Sequence, residues 1–113
     1  MLVAFSFRAK PGKEKEFEQL LNSPESGRMA AKMMGATRNA LFLGGGRMIR
    51  ILEFSEDAKP VPMLELADRD PNFKAFLRKM GTLVEDGFDI DRPETLESFN
   101  KRNSFILAYD IRP

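Results

Sequence analysis

Two apolar runs, Thr37–Leu43 and Arg47–Phe54, meet at three consecutive glycines, Gly44, Gly45 and Gly46. No other feature of the chain constrains its fold as tightly. Glycine readily adopts the positive φ angles of a two-residue antiparallel turn, and alternating apolar runs on either side fit its strands. With Gly44 and Gly45 as the turn, Leu43 pairs with Gly46, Leu41 with Met48, and Asn39 with Arg50. Side chains alternate along a strand, so one face collects Thr37, Asn39, Leu41, Leu43, Met48, Arg50, Leu52 and Phe54. The other face collects Arg38, Ala40, Phe42, Ile49, Ile51 and Glu53. An amide across from a fixed cation, within an apolar face, suits a pocket for a carbonyl or an enolate. A one-residue shift of the turn undoes that direct pairing.

The remaining elements follow from periodicity and punctuation. The run from Leu2 to Phe7 or Arg8 reads as a strand, broken by Lys10-Pro11-Gly12. Phe17, Leu20 and Leu21 recur at helical spacing, with charged residues outside them. Ser23-Pro24 predicts a capped restart of a helix that carries Met29, Met33 and Met34 and stops at Gly35. After the hairpin, Ser55 to Pro62 is a polar connector, and Leu64, Leu66 and Ala67 mark a short helix. Asp70-Pro71 opens a further helix with the stripe Phe73, Phe76, Leu77, Met80 and Val84. Gly87 to Arg92 is a loop, and Pro93 to Phe99 a short helix. Alternation of Phe105, Leu107, Tyr109 and Ile111 predicts a last strand from Asn103 to Arg112, with these residues in the core.

That order, β-α-β-β-α-β with added helical turns before the second and fourth strands, predicts an α+β fold. The expected form is a ferredoxin-like antiparallel sheet with helices on one face, in one domain spanning residues 1–113. Phe5, Phe7, Ile49 and Ile51 are expected to face the helices. Leu41, Met48, Leu52 and Phe54 would then lie bare, an apolar patch to be covered by a second copy in a two-fold homodimer.

Composition excludes several chemistries. The 113 residues hold 18 basic and 17 acidic side chains, interleaved, so no basic stripe points to nucleic acid. Cysteine and histidine are both absent, which removes disulfides, thiolate nucleophiles and the usual ligands of zinc. No dinucleotide fingerprint follows the first strand, and no Walker lysine-serine pair follows the glycines. The expectation is a protein with no metal, no redox cofactor and no membrane partner. The opening apolar run lacks the length, basic start and cleavage site of a signal peptide, which predicts a soluble, cytoplasmic protein.

Gly35–Phe42 and Arg47–Phe54, with Asp70-Pro71-Asn72-Phe73 and the acidic stretch Asp89-Ile90-Asp91-Arg92-Pro93, carry a resemblance over nearly the whole chain. It resembles the dimeric α+β barrel superfamily, and within it the tetracenomycin-type polyketide cyclases and the SchA/CurD-like domain. The resemblance implies a cyclase or cyclase-like accessory protein of antibiotic polyketide biosynthesis. Such a protein binds an aromatic or poly-β-ketone intermediate and directs intramolecular aldol cyclisation. In that family an arginine on the second strand and a histidine on the third line the cavity; here those positions fall at Asn39, beside Arg38, and at Arg50. The histidine and aspartate near the end of the family's first helix fall around Glu25 and Ser26. An arginine at the third-strand position favours the SchA/CurD-like subgroup over histidine-assisted cyclisation.

The residues expected to act are Arg50, stabilising an enolate; Asn39, donating to a carbonyl; and Asp110, a general base once burial raises its pKa. Arg38, Ser6, Met48, Leu52 and Met33 are expected to contact the ligand. Each has a plainer alternative: an interface ion pair for Arg50, hairpin hydrogen bonding for Asn39, a partner in Arg8 or Arg112 for Asp110, gap-filling for the methionines. Two other activities fit the same fold: a cofactor-independent monooxygenase, and a non-enzymatic small-molecule binding protein in a biosynthetic complex.

Overall fold

Two helices start where a polar cap precedes a proline. Ser23 caps α2 (Pro24–Met34), its hydroxyl accepting the Ser26 N–H at 3.3 Å, and Gly35 closes the helix. Asp70 caps α4 (Pro71–Leu83), its carboxylate accepting the Asn72 and Phe73 N–H groups at 2.8 and 3.3 Å. The computed structural model describes residues 1–113 and adds α1 (Glu14–Leu21), α3 (Met63–Arg69) and α5 (Pro93–Asn103). The strands are β1 (Leu2–Arg8), β2 (Arg38–Gly44), β3 (Arg47–Glu53) and β4 (Ser104–Phe105). They form one antiparallel sheet in the order β2-β3-β1-β4, so the fold is α+β.

The hairpin turns one residue later than expected. Gly44 pairs with Arg47, and Gly45 and Gly46 make the turn with φ of 57° and 72°. Three identical glycines offer equal local choices, and contacts from elsewhere select among them. The Gly46 carbonyl accepts from the Ala9 N–H at 2.7 Å, and its own N–H donates to the Glu18 carboxylate at 3.2 Å. Asn39 therefore lies opposite Leu52, and Leu41 opposite Arg50. The pairing moves by two residues in all, so the membership of each face survives.

The direction of those faces is reversed. β1 pairs Phe5 with Arg50 and Phe7 with Met48, which places both phenylalanines on the Met48–Leu52 face. That face meets the helices: Met48, Leu52 and Phe54 are 1%, 4% and 4% exposed. Ile49 and Ile51 point the other way, with Ala4, Ser6 and Phe42, and Phe42 remains 59% exposed. The expectation that Ile49 and Ile51 share a face with Phe5 and Phe7 fails because the β1–β3 register forbids it.

Phe7 anchors the larger core, edge-on to Phe99 and Phe17 with ring centroids 5.2 and 6.0 Å away. A smaller cluster joins Met34, Leu52, Phe54 and Leu66. At the end of α4 the chain extends so that Ala9 and Val84 bridge, which ties this helix to the exit of β1. The last strand is far shorter than its alternation predicts. Only Ser104 and Phe105 pair with β1, and from Ile106 onward the chain has no regular secondary structure and is exposed. Tyr109, expected in the core, is 77% exposed. An alternating pattern becomes a strand only where its hydrogen bonds are made to a neighbour, and the pairing with β1 stops at Ala4 and Phe105. No helix is long and apolar enough to cross a membrane.

Candidate functional site

Between the helix-facing side of the sheet and the helices lies a cavity of about 950 Å³. Phe5, Phe7 and Met48 form its floor, and Met33, Phe73 and Phe76 face it from α2 and α4. These rings are only partly buried, although the amphipathic stripe of α4 makes them look like ordinary core. Phe73 and Phe76 stack on each other with centroids 6.2 Å apart, as do Phe5 and Phe7. Such walls suit flat, apolar ligands.

Three arginines border this space, and one of them, Arg50, is half-buried. It lies at the centre of β3, and its Nη1 donates to Asn39 Oδ1 at 2.8 Å. Asn39 Nδ2 in turn donates to the Gly27 carbonyl of α2 at 3.0 Å. Asn39 is diagonal to Arg50 rather than opposite it, a separation that a long arginine spans readily. The chain of contacts runs from the Ser23 cap, which fixes where α2 begins, through Gly27 and Asn39 to the guanidinium. Asn39 Oδ1 and one Nδ2 hydrogen are occupied, so this amide chiefly orients Arg50.

Arg50 takes part in none of the protein's ion pairs. Burial lowers its pKa by desolvation. Two carboxylates border the cavity, and both are engaged elsewhere. Asp70 caps α4, and Glu25 pairs with Arg28 at 3.2 Å. A partly desolvated guanidinium without a counterion is a costly arrangement, and only its Nη1 finds a hydrogen-bond partner in the protein.

The expected site residues divide. Arg50, Asn39, Met48, Met33 and the exposed Arg38 line or border the cavity, as do Glu25 and Ser26. Ser6 does not: it lies on the opposite face of the sheet, its hydroxyl donating to the Met48 carbonyl at 2.7 Å. Leu52 is packed into the smaller core cluster and does not reach the cavity. Asp110 sits on the exposed segment beyond β4 and is not among the residues lining the cavity. Its expected position depended on a long fourth strand. The sequence reading missed Phe73, Phe76 and Asn100 as lining residues. A two-phenylalanine rim above Leu77 and Met80, broader than one helix needs, was the available signal.

No cluster of acidic side chains is arranged to hold a metal ion. Neither a protein-family model nor a curated protein matches the chain.

Proposed function

We propose that this protein is a polyketide cyclase, or a cyclase-like accessory protein, of the SchA/CurD-like kind, working in the cytoplasm on an aromatic or poly-β-ketone intermediate. The observation that carries this reading is Arg50, an unneutralised guanidinium in the wall of an aromatic-lined cavity of about 950 Å³. The cavity would hold the reactive chain in one bent conformation and exclude water, which brings the nucleophilic carbon to its carbonyl target. A methylene between two carbonyls would lose its proton to water at the cavity mouth before the chain is enclosed, and water would return a proton to the product alkoxide on release. Arg50 stabilises the resulting enolate, and later the alkoxide formed as the new carbon–carbon bond closes. Asn39 holds the guanidinium in place.

The sheet order β2-β3-β1-β4, with helices on one side, supports a ferredoxin-like topology. The bare face, with Phe42 59% and Ile49 42% exposed, supports a two-fold dimer of the barrel type. Dimerisation there leaves each cavity intact, since the cavities lie on the other side of the sheets. With no carboxylate beside Arg50, a second reading is also supported: a carrier that binds the intermediate without converting it.

Incubation with linear poly-β-ketone thioesters, followed by mass spectrometry and ultraviolet absorbance, tests the proposal. The expected result is faster formation of one cyclised isomer, lost on the order of a hundredfold in Arg50→Met. Binding without any change in product supports the carrier, and absence of both binding and turnover overturns the two readings together.

A further inference from the structure

The charged groups around the cavity do not balance at Arg50. Five charged residues border it: Arg28, Arg38, Arg50, Glu25 and Asp70. Arg28 and Glu25 neutralise each other, and the Asp70 oxygen is directed at two backbone N–H groups. Of the guanidinium donors of Arg50, only Nη1 makes a hydrogen bond. Its Nε and Nη2 edge is free. Two parallel N–H groups on one edge match the two oxygens of a carboxylate, a geometry that a single carbonyl oxygen satisfies only in part. Phe5, Phe7, Met48, Phe73 and Phe76 are among the residues that line the same cavity.

Building on the reading of this cavity as a ligand site, we propose that it selects a planar aromatic carboxylate. The carboxylate forms a bidentate pair with Arg50, and the ring system lies among Phe5, Phe7, Phe73 and Phe76. Desolvation of the guanidinium strengthens the preference for an anion, because the charge is poorly screened inside an apolar cavity. The ligand supplies the counterion that the fold lacks. Arg50 thereby acts on the ligand's acid group as a selectivity device, whether or not the bound molecule is cyclised.

Anthracene-2-carboxylate and anthracene-2-carboxamide, nearly identical in shape and different in charge, test this by fluorescence titration of the wild-type protein. The carboxylate should bind at least tenfold more tightly. That preference should fade as pH falls below the acid's own pKa, and it should vanish in Arg50→Met while affinity for the amide persists. Arg50→Lys should keep part of it, since an ammonium carries the charge without the planar fork. Equal affinity for acid and amide in the wild-type protein overturns the anion proposal and leaves the ligand site standing. Failure of both probes to bind overturns the ligand site as well. The wild-type comparison decides the matter even if a variant fails to fold.

Discussion

Folding partly desolvates the Arg50 guanidinium and returns one hydrogen bond, donated to Asn39, with no opposing charge. Removing that cation should therefore not destabilise the protein. Arg50→Met is expected to melt at the same temperature as wild type or higher, while losing the anion preference. The pH dependence follows from the lowered pKa. The unfolded chain holds this proton more firmly than the folded one, so stability rises with pH only between the two arginine values. That window is strongly alkaline, so Arg50 should leave melting temperature flat with pH in the neutral range. Gly81 presents the opposite case. A Cβ there would run into the Phe88 carbonyl, a backbone group that cannot swing aside. Gly81→Ala is expected to cost about 3 kcal/mol, read as a lower denaturation midpoint at unchanged slope.

At the scale of elements, the caps carry testable weight. Asp70 satisfies two N–H groups at the start of α4, the helix that holds Phe73 and Phe76 over the cavity. Asp70→Ala should cost about 1 kcal/mol and lower the melting temperature by about 4 °C, measured by circular dichroism. Asp70→Asn should recover most of that loss, because asparagine caps nearly as well. The cap–proline pairs at Ser23 and Asp70 were legible in the sequence because their chemistry is local: a side-chain oxygen two or three residues from the N–H it accepts. The hairpin was legible as a hairpin and not as a register. Nothing within Gly44-Gly45-Gly46 distinguishes one turn from its neighbour, and Ala9 and Glu18 make the selection from distant segments.

For the whole molecule, the unsettled surface is the face of the sheet turned away from the helices, with the segment after β4. Phe42 and Ile49 are exposed there, and Ile106, Leu107, Tyr109 and Ile111 are 95%, 54%, 77% and 70% exposed. A second copy covering the sheet face should make the protein sediment as a dimer at micromolar concentration. Phe42→Asp, which alters no buried contact of the protomer, should yield a folded monomer. A wild-type monomer in that experiment overturns the dimer. Leu52 cannot play this part, because it is buried against Met34, Phe54 and Leu66. The sequence alone determined which residues of the hairpin share a face and where α2, α4 and α5 begin, since periodicity and capping are set by near neighbours. Only the tertiary structure decided which face the helices cover, since both faces of the β3 strand are apolar and the choice rests on how β1 pairs with it. The same pairing put Ser6 outside the cavity, and the shortness of β4 removed Asp110. Both depend on contacts between residues far apart in the chain, which no local pattern encodes.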